Sequence, residues 1–325
     1  MEQTDNGELK EIDTSFLALL DNFADPCEDT VYHYTSAEGL QGIIENHELW
    51  LTNIEFVNDL EECKALQKDT GLFKESDFHN KEIWRKWESF CHPDKNFYHT
   101  DCNIYIFSFS EEADESLPQW RSYGNYRIGF DAKKLKKPGF RFYQCLYEKD
   151  EIIEWIVNRA ELPEWKGLAI PGEEDKAARY LIDAASKKYK NKFFKGENEY
   201  RMIVSSDHIW SIRRPDIYSI QPPIHYRRHP AYKLPVPYVK FFLSENNKGA
   251  TESLSKLKNK EYMEMKKDKL DKERTVERKL LPITEVMVGP MQYQNKAELA
   301  CDILLKDNGY ADVNVEKSEI PYRGF

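Results

Sequence analysis

The sequence predicts an α+β fold, in which helices pack against a sheet core. Short runs of β-branched and aromatic residues, typical of strands, recur along the chain. Segments with the apolar spacing of helices lie between them, but they do not follow the strands in regular βαβ alternation. The chain also shows no internal repeat. We therefore expect a single domain over residues 31–325, preceded by a polar, partly helical lead-in over residues 1–30.

The first strand is predicted at residues 31–34, with a helix directly behind it. Thr35 is predicted to cap this helix, because Glu38 follows three positions later as in a capping box. The apolar stripe of the helix consists of Leu40, Ile43 and Ile44.

The remaining elements are predicted in chain order from the same patterns. Strands are expected within residues 48–53, 101–110, 126–131, 198–206, 283–290 and 311–323. Helices are expected within residues 14–23, 119–124 (a helix or a loop), 151–190 and 295–309, the last ended by Gly309. The proline-rich segment 212–236 indicates an extended excursion, and the charged segment 246–280 indicates a solvated helix or a partly disordered insertion.

Composition narrows the class of protein. With 40% hydrophobic and 13% aromatic residues, the chain of 325 residues can bury a core. The formal net charge of −10 argues against a protein that coats DNA, since such proteins need a positive surface. The first residues lack the features of a signal peptide, and no stretch predicts a transmembrane helix. Six scattered cysteines without a C-x-x-C pair fit reduced thiols, so we expect a cytoplasmic protein with no membrane partner.

The predicted strand around residues 197–204 carries unusual charges. Because side chains alternate across a strand, Glu197, Glu199 and Arg201 are expected on one face. A solvated edge strand, charged against aggregation, explains this pattern and is the more common case. A pair of carboxylates facing a cleft, with the arginine holding one of them, explains it as well.

Two other features allow either packing or binding. A single histidine on a strand, such as His33, is more often a hydrogen-bonded core residue than a site residue. Trp120 and Tyr123 follow a strand in which serines alternate with phenylalanines. These two aromatic side chains predict either a stacking platform for a flat heterocycle or part of the core.

Several other signals are weak or missing. Cys91, His92, His99 and Cys102 match no common zinc spacing, so we predict no metal site. No glycine-rich dinucleotide fingerprint, P-loop or nucleophile elbow occurs. Basic residues alternate with aromatic ones in segments 186–196 and 224–233, a pattern typical of nucleic-acid contacts and also of ordinary solvated surfaces.

The ordered set of motifs resembles a bacterial family long catalogued as a domain of unknown function, which is similar to a divergent branch of the ADP-ribosyltransferase fold. The resemblance spans roughly residues 31–323. The motifs are VYHYTS (31–36), WLTNIEFVNDLEE (50–62), IFSFSEEADESLPQWRSYGNYRIGF (106–130), KGENEYRMI (195–203), VMVGP (286–290) and VEKSEIPYR (315–323). The resemblance implies a split, antiparallel or mixed sheet with flanking helices. It also implies that NAD is the co-substrate and that no metal is needed.

The resemblance also implies roles for individual residues. In the family branch with a histidine on the first strand, that residue contacts the ribose of NAD, and His33 matches it. Tyrosines there enclose the nicotinamide ring; Trp120 and Tyr123 are the candidates here, with Phe107 or Phe109 behind them. The implied NAD-binding set is His33, Tyr34, Thr35, Phe107, Ser108, Trp120, Tyr123 and Arg201.

The resemblance assigns catalysis to a glutamate on a later strand. Here this residue is Glu199, with Glu197 as its E-x-E partner, and His33 is the third catalytic candidate. Which of the two glutamates is essential stays open. The serines of the FSFS segment also resemble the arginine-modifying branch of the fold. Trp120 departs from the family pattern, in which a tyrosine is usual.

The activity implied is transfer of ADP-ribose from NAD to a macromolecular acceptor, either a nucleic acid such as RNA or DNA, or a protein. Lys192, Arg227 and Arg228 are the candidate acceptor-binding residues. The resemblance further implies a toxin or antiphage role and a neutralising, antitoxin-type protein partner, for which segment 246–280 is a candidate docking site. The alternatives are an NAD glycohydrolase that uses the same residues and a non-catalytic module that binds nucleic acid or protein.

Overall fold

The strands form one mostly antiparallel sheet. A computed structural model of the chain describes residues 24–25, 30–59, 62–68, 74–77, 81, 84–85, 88, 102–111, 114–137, 139–160, 174–207, 222–228, 233–245 and 259–321. Within these ranges the strands are β1 (Thr30–Thr35), β2 (Leu49–Asn53), β3 (Cys102–Ser110), β4 (Tyr126–Asp131), β5 (Arg141–Gln144), β6 (Glu199–Asp207), β7 (Ile224–Arg228), β8 (Pro235–Phe241), β9 (Ile283–Val288) and β10 (Asn314–Lys317). They join in the order β10-β9-β4-β1-β3-β2-β8-β7, with β6 and β5 branching from β3. The expectation of a mixed α and β fold is confirmed at this level.

The sheet opens along one edge of β3. The other edge of β3 pairs with β6 over its whole length, from Cys102 opposite Asp207 to Ser110 opposite Glu199. On the opening edge, β2 pairs at Tyr105 and Ile106, and β1 pairs only at Ser110. The three residues between them, 107–109, have no strand partner on that edge among the described residues. Strands β1 and β2 therefore diverge there.

Helices cover both faces of the sheet. They are α1 (Ala37–Asn46), α2 (Ala65–Lys68), α3 (Leu117–Tyr123), α4 (Lys149–Ala160), α5 (Glu174–Lys188), α6 (Asn259–Thr275) and α7 (Gln294–Asp307). Helices α1 and α7 bury apolar side chains in the larger core, which contains Phe107 and Phe109 of β3. Helices α4 and α5 build a second core with Ile104 and Ile106, on the opposite face of the same strand.

Two local expectations are wrong. The N-cap of α1 is Ser36 and not Thr35, because Thr35 ends β1 and the Ser36 hydroxyl accepts from the backbone N–H of Gly39. Strand β6 is not a solvated edge strand, because it pairs with β3 on one side and β5 on the other. It also begins at Glu199, so Glu197 lies before it, in a 3₁₀ helix over Lys192–Glu197.

Some predicted segments fall partly outside the described residues. The helix expected at residues 14–23 lies outside them, as does most of the zinc candidate, residues 91, 92 and 99. The charged segment is described as helix α6 from Asn259 onward. The segment expected to be an extended excursion contributes β7 and the start of β8. In the part of the chain that the structure describes, no helix combines the length and apolar character needed to cross a membrane.

Candidate functional site

The candidate site lies where the second face of β3 and β6 changes from apolar to polar. Ile104, Ile106 and Ile203 pack in the core beneath α4 and α5. Further along the same face, the register sets Ser108 opposite Arg201 and Ser110 opposite Glu199. Because side chains alternate with period two, these polar residues share a face and extend away from the apolar core. Ser108 is exposed, although it lies on an inner strand.

Glu199 is the centre of this polar group. Its side chain is 3% exposed and it receives hydrogen bonds at both carboxylate oxygens. The Ser108 hydroxyl donates to Oε1 at 2.5 Å, and Nζ of Lys190 donates to Oε2 at 2.5 Å. The Cys145 thiol lies 3.6 Å from Oε2, and the backbone N–H of Glu199 donates to the Tyr147 hydroxyl at 2.8 Å. The carboxylate is thus held in one orientation, with Ser108 on its solvent side.

Charges around Glu199 keep it ionised. Burial alone would raise the pKa of this carboxyl, but Arg201 and Lys190 outweigh burial and lower the pKa to about 2. Nε of Arg201 lies 3.2 Å from Oε1 of Glu199. A buried carboxylate that carries a negative charge at neutral pH is able to stabilise a cation that forms beside it.

Arg201 connects Glu199 to a second buried carboxylate, Glu62. The guanidinium pairs with Glu62 at the inner end of the cluster, and its Nη1 donates to the carbonyl of Lys187 at the end of α5 at 2.8 Å. Burial raises the pKa of Glu62 to about 7, although Arg201 acts in the opposite direction. Glu62 therefore changes its protonation state near neutral pH.

Glu197 reaches the same cluster from outside the strand. Asn198 adopts a left-handed backbone with φ of 43°, which turns the chain between Glu197 and β6. The Glu197 carboxylate accepts from Nζ of Lys190 at 2.7 Å and from the Tyr123 hydroxyl at 2.6 Å. Lys190 therefore bridges Glu197 and Glu199.

His33 lies at the opening of the sheet. Its Nδ1 is 2.9 Å from the carbonyl oxygen of Ser108, so this nitrogen carries the proton and donates. The ring also lies over Phe107, at a centroid distance of 4.1 Å. Burial lowers the pKa of His33 to about 4, so the imidazole is neutral at physiological pH. His33 thus donates to a carbonyl at the point where β1 and β2 diverge, where β3 has no partner on this edge within the described strands.

Trp120 is packed inside the protein. It is 3% exposed, and its ring makes an edge contact with Tyr34 at a centroid distance of 4.7 Å. A Cβ at Gly289 would lie 2.7 Å from the Trp120 ring, so only glycine fits beneath it. Trp120 is therefore a core residue in this structure. To stack on a ligand, as the resemblance implies, its ring would have to leave this packing.

Tyr123 lies at the end of α3 and is 38% exposed. The next residue, Gly124, has φ of 125°, and a Cβ there would lie 2.5 Å from the carbonyl oxygen of Thr35. Glycine thus lets the end of α3 approach the end of β1 closely. Of the two aromatic candidates, Tyr123 is the exposed one. Among the remaining candidates, Tyr34, Thr35 and Phe107 are buried.

The candidate acceptor-binding residues lie in two places. Lys192 is exposed at the start of the 3₁₀ helix that leads to Glu197, beside Phe193, which is 85% exposed. Arg227 and Arg228 lie on β7, four strands away from β6 along β3, β2 and β8. Arg227 donates to the Thr52 hydroxyl at 2.8 Å. Lys192 thus lies in the same 3₁₀ helix as Glu197, whereas the two arginines lie on a different part of the sheet.

Sequence reasoning missed Lys190, Glu62, Cys145 and Tyr147. Glu62 stands at the end of the FVNDLEE motif, and Lys190 stands in the basic segment 186–196, so both were within quoted stretches without an assigned role. Their contacts join segments distant in the chain, which no local pattern reports. Among the residues that the structure describes, no group of histidine, cysteine or carboxylate side chains forms a metal site.

Comparisons of the chain with models of protein families, with curated proteins and with solved structures found no match.

Proposed function

We propose that the protein is an NAD-dependent ADP-ribosyltransferase that acts on a macromolecular acceptor. The observation that carries the proposal is the ionised carboxylate of Glu199, bonded at 2.5 Å to the exposed hydroxyl of Ser108 beside the opening of the sheet. His33 binds the backbone carbonyl of the same serine from the other side. Ser108 thus contacts both residues, Glu199 through its hydroxyl and His33 through its backbone carbonyl, on three adjacent strands.

The proposed chemistry needs an anion at this point. The C1′–N bond of NAD breaks with its electron pair leaving on nicotinamide, and positive charge develops on the ribose, as in glycoside hydrolysis. Glu199 faces this charge and accepts a hydrogen bond from a ribose hydroxyl that takes the place of Ser108. One preorganised group of this kind commonly contributes about 3 kcal/mol to transition-state stabilisation.

The acceptor completes the reaction. Its nucleophilic atom bonds to C1′ and releases one proton. Glu197 is the partly exposed carboxylate of the pair, with a side chain 23% exposed, and it is our candidate for taking that proton. The exposed Tyr123 ring, bonded to Glu197, is the candidate surface for the nicotinamide ring. Lys192 is an exposed cation in the same 3₁₀ helix as Glu197, which suits an acceptor that carries phosphates.

Two rival functions use the same residues differently. In an NAD glycohydrolase, water replaces the acceptor, and the site as described suits this reaction equally well. In a binding module without catalysis, the buried charges serve only to hold α5 against the sheet. A cytoplasmic toxin or defence role, and an antitoxin-type partner, remain proposals that follow from the motif resemblance alone.

The test measures release of nicotinamide from labelled NAD by the purified protein, with RNA, DNA or cell lysate added in separate reactions. The wild type should release nicotinamide and transfer label to one fraction. Glu199→Gln should lower the rate by about 100-fold or more, since it removes the charge that faces the forming cation. Release without transfer to any fraction would identify the glycohydrolase.

A matched control is Glu48→Gln. Glu48 is also buried and paired with two cations, Lys240 and Arg278, but it precedes β2, away from the cluster. This variant should keep its rate within about threefold of the wild type, after correction for any loss of folded protein. The proposed activity would be contradicted by an equal loss of rate in both variants, or by a wild-type protein that releases no nicotinamide.

A further inference from the structure

Lys190 is a buried cation between two carboxylates. Its side chain is 5% exposed, and its Nζ lies 2.5 Å from Oε2 of Glu199 and 2.7 Å from Oε2 of Glu197. Oε2 of Glu62 lies 3.9 Å from the same nitrogen. Burial alone would lower the pKa of Lys190, but Glu199 together with the other two carboxylates raises it, so the ammonium is retained.

The chain around Lys190 shows why the ammonium is fixed. The backbone N–H of Lys190 donates to the carbonyl of Leu146 at 3.0 Å, and Leu146 in turn donates to the carbonyl of Lys188 at 2.9 Å. This short parallel bridge ties the segment after α5 to the segment after β5. Lys188, two residues earlier, extends to a different partner, Asp25. Two lysines that are separated by one residue thus bind different carboxylates, Asp25 for Lys188 and the glutamate pair for Lys190.

We propose that Lys190 is a positioning residue for the proposed reaction, which holds Glu197 and Glu199 at a fixed separation with one ammonium group. Two carboxylates that share a site without a cation repel each other, so that one of them takes up a proton. The single ammonium offsets this repulsion and keeps the inner oxygen of Glu199 bonded, which leaves Oε1 directed toward Ser108. This assignment rests on the proposed function and deepens it, because it adds a residue that neither touches the substrate nor belongs to the motif set.

Other titratable groups also face Glu199. They are Arg201 on its own strand, Glu62 and Cys63 after β2, Tyr123 at the end of α3, Cys145 and Tyr147 after β5, and Glu197 before β6, which shares Lys190 with Glu199. Arg201 keeps its contact when Lys190 is changed, so the Glu199 carboxyl is left with one cation in place of two. The expected change is therefore a partial loss of ionisation and of orientation.

The test uses three variants of the full chain. Lys190→Gln removes the charge and keeps a donor, Lys190→Arg keeps the charge, and Lys188→Gln is the matched control in the same segment. Lys190→Gln should lower kcat for nicotinamide release about 10- to 100-fold with KM for NAD changed less than about threefold. It should also move the acid limb of the kcat profile upward by about one pH unit or more. Lys190→Arg should restore the acid limb, and Lys188→Gln should leave it where the wild type has it.

A second readout needs no reaction. Carbon-13 NMR of labelled glutamate carboxyls follows the titration of Glu199, assigned by the signal lost in Glu199→Gln. In Lys190→Gln this signal should titrate at higher pH than in the wild type. A folded Lys190→Gln protein in which Glu199 titrates as in the wild type would overturn the assignment. If the wild type releases no nicotinamide, the proposed function fails, and the NMR titration still decides whether Lys190 holds the glutamate pair.

Discussion

At the scale of single residues, His33 combines contacts typical of a core residue with a position next to the candidate site. The packed ring on Phe107 and the bond to the Ser108 carbonyl would serve a purely structural histidine. The position is what distinguishes it, because the carbonyl that it binds lies at the opening of the sheet next to the Ser108–Glu199 pair. The tautomer assigned by that carbonyl leaves Nε2 as an acceptor, which suits a ligand hydroxyl.

The protonation of His33 gives a prediction for stability. Its pKa in the folded protein is about 4, lowered by burial from 6.5. As the pH falls from about 6.5 to about 4, the unfolded chain takes up a proton that the folded protein does not bind, so the folded protein loses stability. His33→Asn removes this loss while keeping a donor for the Ser108 carbonyl.

Urea unfolding of His33→Asn and the wild type measures the effect. From about pH 7 to pH 4.5, the variant should gain about 2 kcal/mol relative to the wild type. Comparing the two proteins at each pH cancels the carboxyl groups that also titrate there. A constant difference across this range would mean that His33 takes up its proton at the same pH in the folded protein as in the unfolded chain.

At the scale of elements, helix α1 offers a matched pair of glycines. A Cβ at Gly42 would meet nothing within 4 Å, whereas a Cβ at Gly39 would lie 2.0 Å from Oγ1 of Thr35. Gly42→Ala should therefore stabilise the protein by about 1 kcal/mol, the difference in helix propensity. Gly39→Ala should destabilise it by about 1 kcal/mol or more, since Thr35 at the end of β1 must shift.

Thermal unfolding of both variants tests the fit of α1 against β1. Because both substitutions change the same residue type in the same helix, the difference between them isolates the contact with Thr35. Stabilisation by both would show that the end of β1 yields without cost.

The elements also show which signals a sequence carries. Strands β1, β3, β6 and β9 were predicted because each is a continuous β-branched and aromatic run. Strand β8 was not, because Pro235 and Pro237 interrupt its pattern, and proline is normally confined to edges and strand starts. The cap of α1 was misplaced by one residue since Thr35 and Ser36 are both good capping residues, and only the paired length of β1 decides between them.

At the scale of the whole molecule, the site was predictable residue by residue but not as a network. His33, Glu199 and Arg201 were singled out from local patterns, and Ser108 from the motif resemblance. Ser108 and Glu199 are 91 positions apart, and their contact follows from the register of β3 with β6. Lys190 and Glu62 join the cluster only because α5 returns over the sheet and the turn after β2 lies beneath Arg201. Such contacts depend on the complete topology, so spacing within one segment does not reveal them.

The same network links the stability of the whole domain to pH. Burial raises the pKa of Glu62 to about 7 from 4.5, against the influence of Arg201. Between these values the folded protein holds a proton that the unfolded chain releases. The contribution of Glu62 is therefore complete below about pH 4.5 and is lost as the pH rises through 7. This loss is opposite in direction to the one expected from His33, and the two contributions oppose each other between about pH 4.5 and pH 6.5, where both groups titrate.

Glu62→Gln isolates this contribution, because the amide has nearly the shape of the protonated carboxyl and does not ionise. The measured quantity is the free energy of urea unfolding of the variant minus that of the wild type. This difference should shift in favour of the variant between about pH 5 and about pH 8. The sign is the decisive quantity, because Glu62 of the wild type pairs with Arg201 as a carboxylate only above its pKa, whereas the amide of the variant is neutral at either pH. A variant that is relatively less stable at the higher pH would show that Glu62 stays ionised as the partner of Arg201, and that burial of this carboxylate is fully compensated by the cations of the cluster.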